Sequence, residues 1–391
     1  MKSKILFYLI LITLLALLIP AVHAQTFSVI HSFSGTGAEG GAPTAGVAIR
    51  GNALYGTTGA NCGTVYQLAQ SGSNWLFSTL ATLAHNCHPA ATASFGTDGH
   101  LYGTSEAGGN PGGGTVFKLT PPIGICRTIA CYWAVTDVHD FDFNTEGYDP
   151  RGDLAWDQQG NIYGTTVYDF TYGWGTVYEL TPSGNGYTES ILHNFTGSGP
   201  DGGHPIAGVI LDPKGNVYGT TSQTDFDKYG TVFEESYVIG VGWTHRVLYS
   251  FQGNGDGGGP SRLTIDSAGN LYGATSQAGN YGGTIFELSP SGNSWAFTVL
   301  YTFPPGTQAG GVVFGPDGAL YGPGGPGAYQ NGSIFKLTKT QNGWQYSTVH
   351  DFSGSDGTYP SNVAFDSQGN MYGTTNQGGT YNNGVVWMLK P

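Results

Sequence analysis

Four short runs of alternating apolar and polar residues return in the same order along the chain, separated by stretches rich in Gly, Asp, Asn and Ser. The first run is small and aliphatic: GVIL at 208–211, LTI at 263–265, NVAF at 362–365. The second reads LYGTT, with the variants IYGTT, VYGTT, LYGAT and MYGTT. The third reads GTVYQL, GTVFKL, GTVYEL, GTIFEL, GSIFKL and GVVWML, and the fourth is aromatic, as in WTHRVLYSF or WAFTVLYTF. Period-two alternation with β-branched and aromatic content predicts a strand for each run. DPKGN (212–216), DSAGN (266–270) and DSQGN (366–370) lie between the first and second runs. There the Asp bonds its own backbone and Gly takes positive φ, so the pair is a hairpin.

The Tyr of the second run falls at Tyr55, Tyr102, Tyr163, Tyr218, Tyr272, Tyr321 and Tyr372, with spacings of 47, 61, 55, 54, 49 and 51 residues. Seven units of this period fit propeller blades rather than helical or leucine-rich solenoids. The chain stops at Pro391, just after the third run of unit seven, and FSVIHSF (27–33) is a fourth-type strand with no unit before it. The two deficits are complementary. The expectation is therefore an all-β, seven-bladed β-propeller of four-stranded blades, 28 strands in all, with the N-terminal strand closing the last blade. A solenoid would need capping repeats at both ends, whereas closure leaves only short, protected strand edges. A transmembrane barrel fits less well, because the strands come in types of fixed identity and order.

The wording aliphatic-x-x-D-x-x-G-N-L-Y-G-T-T, a Gly-rich loop, G-T-V-F-x-L-T-P, then W-x-x-x-V-L-Y-x-F resembles the GloVer-type tandem repeat of exported bacterial proteins. Unit five carries it nearly whole, as DSAGNLYGAT, GGTIFELSPSG and WAFTVLYTF, and the resemblance spans 27–391. It implies a surface or secreted repeat protein and brings no set of catalytic residues with it.

Composition agrees with a loop-dense β chain. Of 391 residues 66 are Gly and 20 Pro, only 10% are charged, and 39% are apolar with 13% aromatic, which excludes a helical bundle, a collagen and a disordered tail. Lys2 and Lys4, the apolar run 5–19 and Val22-His23-Ala24 read as a Sec signal cleaved after Ala24, leaving one domain over 25–391, exported and placed at the periplasm, cell surface or outside. Its loss leaves 11 basic against 26 acidic residues, a net charge of −15. So acidic a chain has no counterion-release drive toward nucleic acid, and no later run is long enough to enter a membrane. The expected state is a monomer.

The chain lacks GxSxG, HExxH and a P-loop, so no enzyme is announced. His31, His139, His193 and His350 sit two residues before the Phe of the fourth strand, where units four and five carry Tyr249 and Tyr301, which predicts packing rather than metal binding. His85, His88, His100, His204 and His245 lie outside that pattern. In an exported chain Cys62, Cys87, Cys126 and Cys131 predict disulfides. Loops after strands two and four share one face of a propeller, which pairs Cys62 with Cys87 and Cys126 with Cys131. A zinc site from Cys62, His85, Cys87 and His88 is the alternative for that region.

Two loop features on one face mark the candidate ligand site. Before the first strand, in five units, a Gly-rich loop carries an acid four residues ahead of a Pro: Glu39, Glu146, Asp201, Asp256 and Asp356, expected at the mouth of the central channel. A Tyr follows the second strand: Tyr172, Tyr229, Tyr281, Tyr329 and Tyr381. Flat rings beside carboxylates and amides suit carbohydrate, whose C–H face is apolar and whose edge is polar. The reading is a non-catalytic binding or scaffold propeller for extracellular polysaccharide or protein. The alternatives are a polysaccharide lyase or glycoside hydrolase using loop carboxylates, and a purely protein-interaction ring. No cofactor is expected, with Ca²⁺ the one ion such acids would attract.

Overall fold

The computed structural model describes residues 25–123, 132–184, 186–222, 229–277 and 282–391. The signal segment, Cys126, Cys131 and Tyr281 lie outside the described residues. Seven antiparallel blades of four strands follow one another along the chain. Taking the second and third strands as landmarks, blade 1 holds Ala53–Thr58 and Thr64–Ser71, blade 2 Leu101–Gly108 and Thr115–Thr120, and blade 3 Ile162–Thr166 and Thr176–Ser183. Blade 4 holds Val217–Thr221 and Thr231–Val238, blade 5 Leu271–Gln277 and Thr284–Ser291, blade 6 Leu320–Gly324 and Ser333–Thr340, and blade 7 Met371–Gln377 and Val385–Lys390. First strands are two or three residues long and innermost, and fourth strands reach nine residues on the outside.

The ring closes as the ends require. Thr26–Ser32 pairs antiparallel with Val385–Lys390, with Phe27 opposite Leu389 and Val29 opposite Trp387, and so supplies the fourth strand of blade 7. Phe33 then buries completely at the joint with blade 1, beside Tyr66.

Each repeated residue has a physical task. The turn Asp accepts from the backbone two and four residues on, as when Asp212 takes the N–H groups of Lys214 and Asn216 at 2.8 and 3.0 Å. Its second oxygen takes the Tyr hydroxyl of the second strand, which also reaches an acid of the third: Tyr218 bonds Asp212 at 3.3 Å and Glu234 at 3.0 Å. In blades 2 and 6 a lysine replaces that acid, so Lys118 pairs with Asp98 and Lys336 with Asp317, both at 2.7 Å. The same Tyr rings receive the Trp that opens the next fourth strand, edge to face, as in Trp295 on Tyr218 and Trp75 on Tyr372. Glycine in the second strand leaves room for a third-strand ring; a Cβ on Gly219 would lie 2.5 Å from the Phe233 ring.

Candidate functional site

Loops after the second strand and before the first strand meet on one face, since Gly59 donates to the Ala42 carbonyl and Val167 to that of Asp149. On blade 3 this contact grows into an extra two-stranded sheet, Gly147–Tyr148 against Tyr168–Asp169. From 168 to 174 every second residue is aromatic: Tyr168, Phe170, Tyr172, Trp174. The fold sorts them. Trp174 turns inward over Gly203 and Gly197, the latter at φ +65°, where a Cβ would enter the indole. Tyr168 stacks on Tyr148 at 5.2 Å and meets the His204 ring at 5.0 Å. Phe170 and Tyr172 point outward, 66% and 55% exposed.

A buried carboxylate fixes that presentation. Asp169, 4% exposed, accepts the N–H groups of Tyr172 at 2.7 Å, Trp174 at 2.9 Å and Gly175 at 2.8 Å. Three charge-assisted bonds to one side chain hold the loop in a single shape, so the exposed rings cost little entropy when they meet a ligand. Charges stand near Tyr168 of this loop. Arg151 forks onto Asp149 with two bonds of 2.9 Å and stands 3.6 Å from Glu106, whose carboxyl is pushed up by burial. Flat apolar rings next to a carboxylate and a guanidinium can grip a polyhydroxylated ligand by face and edge.

The five loop acids are not presented to the channel. Each closes on the ring of the outermost strand just before it: Glu39 on His31 at 2.8 Å, Glu146 on His139 at 3.2 Å, Asp201 on His193 at 2.8 Å, Asp256 on Tyr249 at 2.9 Å and Asp356 on His350 at 3.0 Å. Each also takes a backbone N–H at the start of its own loop, as Asp201 takes that of Thr196 at 2.6 Å and Asp356 that of Ser353 at 2.7 Å. A cavity of about 310 Å³ is lined instead by first-strand residues such as Val313, Phe314 and Phe365 and by residues just ahead of first strands, among them Gly46, Thr92, Arg262 and Asn362. There Arg262 reaches across to Asp153 at 2.9 Å, and Asp153 also holds the Thr92 N–H at 2.7 Å.

Of the candidate tyrosines, Tyr329 and Tyr381 are exposed like Tyr172, whereas Tyr229 packs under Gly253 and Gly258. Cys62 and Cys87 are bonded to each other, so they offer no thiolates and the zinc reading of that region does not hold. Sequence reasoning passed over Phe170, Tyr168, Tyr148 and Arg151, although the alternation of aromatics after strand two was a readable signal.

Two further groups sit between blades. His139 faces both Glu146 and Glu189, at 3.2 and 3.8 Å. Burial, with Glu146 alongside, pushes Glu189 up to about 8, and burial pulls His139 below the ordinary histidine value. Next to it His193, Asp201 and His245 converge. Asp201 is raised by burial but lowered further by bonds from His193 and Thr196, and ends below the usual aspartate range.

Seven four-stranded blades, latched by the N-terminal strand, define the molecule as a seven-bladed β-propeller. The family model of the Gloeobacter/Verrucomicrobia repeat matches residues 20–197 and 153–387, and the chain belongs to that family. No curated protein sequence matches it significantly. Among solved structures it is similar to an ancestral GH74 enzyme, at 12% identity and a TM-score of 0.60 over 90% of this chain and 48% of that one. It is also similar to PorZ, a surface component of the type-IX secretion system of Porphyromonas gingivalis, at 11% identity and 0.55 over 88% and 46%. A Lactobacillus plantarum protein gives 16% identity and 0.54 over 87% and 99%. At such identities the likeness is one of fold. Among the described residues no helix is long and apolar enough to cross a membrane, and the disulfide fits an exported chain.

Proposed function

We propose that this propeller is an exported, non-catalytic binding module that takes carbohydrate on the loop face of blade 3. The observation that supports this reading is the Asp169-pinned loop, which holds Phe170 and Tyr172 in solvent while Tyr168 of the same loop lies near Arg151. Neighbouring exposed rings held in one shape are the kind of apolar patch that marks an interaction surface. The exposed Tyr329 and Tyr381 extend the same face to blades 6 and 7. Catalysis has less support. Among the described residues the loop acid Glu146 and Glu189 both close on His139 between blades, their oxygens within 4.8 Å of one another, whereas a glycosidase needs roughly 5 to 9.5 Å between its carboxyl groups to admit sugar and water.

The test is a polysaccharide panel probed by calorimetry, with new reducing ends followed in parallel. The double variant Phe170→Ala/Tyr172→Ala is expected to lose binding by tenfold or more while its Tm stays within a degree or two, because both rings are exposed. Unchanged binding by that variant removes blade 3 as the site. New reducing ends would replace the module with an enzyme.

A further inference from the structure

The blades themselves provide an internal reference for what each position ordinarily holds. The fifth residue of each described third strand is a buried leucine in six blades: Leu68, Leu119, Leu180, Leu288, Leu337 and Leu389. In blade 4 it is Glu235, 0% exposed. The outer strand of blade 4 departs from the pattern at the facing position. Blades 1, 5, 6 and 7 place Phe77, Phe297, Tyr346 and Phe27 there, and blade 4 places His245. The two departures meet, with His245 Nδ1 2.6 Å from Glu235 Oε1. Two changes that are each unfavourable to a core, in one blade and in contact, are a designed pair rather than drift.

The carboxylate on Nδ1 decides what Nε2 offers. With the ring proton held at Nδ1 by Glu235, the neutral imidazole turns a lone pair from Nε2 into the joint with blade 3. That nitrogen is buried and has no hydrogen-bond partner among the described residues. What it faces is Asp201 Oδ1, an acceptor, at 3.4 Å, and the same oxygen lies 2.8 Å from His193 Nε2. A lone pair directed at a carboxylate calls for a cation between them. The three ligand atoms all lie within 4.8 Å of one another. Tetrahedral zinc holds nitrogen and oxygen ligands at ~2.1 Å, and so roughly 3.4 Å from each other. The imidazoles stack at 3.8 Å and 9°, so one ring must tilt to aim its lone pair at a shared ion. All three side chains keep a partly exposed edge through which an ion can enter.

We propose that His193, His245 and Asp201 form a binding site for a divalent transition-metal ion of the zinc class, with Glu235 as the outer carboxylate that sets the tautomer of His245. Two imidazoles and one carboxylate leave a fourth position for water, and nitrogen ligands favour zinc over calcium or magnesium. The Asp201 loop packs under Trp174, but the site shares no residue with the exposed rings Phe170 and Tyr172 and does not depend on the carbohydrate reading.

The experiment titrates Zn²⁺ into metal-stripped protein by calorimetry and follows Tm, then repeats both on Glu235→Leu/His245→Phe. That double variant gives blade 4 the residues that blade 5 already uses at these positions, Leu288 and Phe297, so it is expected to fold. His193→Tyr, patterned on Tyr249 and Tyr301, is the second variant. Saturable binding of one ion per chain, a Tm rise of several degrees and a tetrahedral visible spectrum with Co²⁺ are expected from the parent, with all three lost in both variants. The proposal is overturned if the parent takes up no stoichiometric ion, or if Glu235→Leu/His245→Phe responds as fully as the parent. It is equally overturned if acid raises the parent's Tm while Zn²⁺ does nothing, since the cation between the groups is then a proton.

Discussion

Five of the seven joints between blades close on stacked rings, but only the two joints of blade 3 set histidine or carboxylate on both sides. His31 lies on Phe77 at 4.3 Å, Tyr249 on Phe297 at 4.0 Å, Tyr301 on Tyr346 at 4.5 Å and His350 on Phe27 at 3.6 Å. At the same place blade 2 sets His139 against Glu189, and blade 3 sets His193 against His245. The remaining joint, blade 1 to blade 2, has Ala81 and Val135 at the two positions. There the link is covalent, because Cys62 leaves blade 1 and Cys87 belongs to Asn86–Pro89, which pairs with a blade 2 strand. One backbone geometry thus accepts ring, charge or disulfide.

The largest effect should follow from opening the covalent joint. Cys62→Ser/Cys87→Ser releases a loop of 25 residues, which at ordinary chain entropy costs roughly 3 kcal/mol. Urea unfolding of the parent and variant measures it. A loss below about 1 kcal/mol would mean that Ala81 and Val135 hold the joint without help.

A smaller effect, carrying a sign, belongs to the blade 2–3 joint. Glu189 holds its proton up to about 8 in the folded protein, against an ordinary glutamate value near 4.5 in the unfolded chain. Its contribution is fully present below the unfolded value and is lost as pH rises through about 8. His139, pulled down by burial, acts the other way and only below the ordinary histidine value near 6.5. The window from pH 6.5 to 8 therefore reports Glu189, and at about 1.4 kcal/mol per pH unit the parent should lose about 2 kcal/mol across it. Glu189→Phe, which supplies the ring found at Phe77 and Phe297, should flatten that slope. A parent whose stability is constant from pH 6.5 to 8 would show that this joint is not strained by charge.

Much of this was readable in the residues. The seven Tyr-Gly steps counted the blades, and the missing fourth strand at Leu389-Lys390-Pro391 was matched by FSVIHSF, because strand type is written in local alternation. The pairing of His31 with Glu39, and of His193 with Asp201, was present as two separate patterns. They recur in the same units six to eight residues apart, yet which way a loop side chain turns depends on the neighbouring blade. Hence the acids were expected at the channel mouth, whereas their carboxylates close on rings of the outer strands. Glu235 was legible as a break in a leucine column, but its partner His245 comes into reach only through the register of the third and fourth strands, where Glu235 faces His245.

The smallest predicted effect tests the comparison most directly, because it builds a joint instead of breaking one. If a stacked pair is what closes five joints, installing it in the ringless joint should stabilise the molecule. Ala81→Tyr/Val135→Phe copies Tyr249 on Phe297, and the backbone at these positions follows the same bulged pairing of third and fourth strands in blades 1 and 4. Val135 is 37% exposed, so an added ring has space on its outer side, while Ala81 is buried and its replacement must displace neighbours. The two changes should therefore be unequal alone and favourable together. A double-mutant cycle is expected to give a coupling of about 0.5 to 1 kcal/mol, the usual worth of an aromatic pair beyond its buried area. Made in the Cys62→Ser/Cys87→Ser background, the ring pair should recover only part of the lost stability, since a disulfide acts on the unfolded chain and a stack on the folded one. A coupling near zero would mean that the rings fill space at the joints without recognising one another, and that the charged joints of blade 3 replaced packing volume rather than a specific contact.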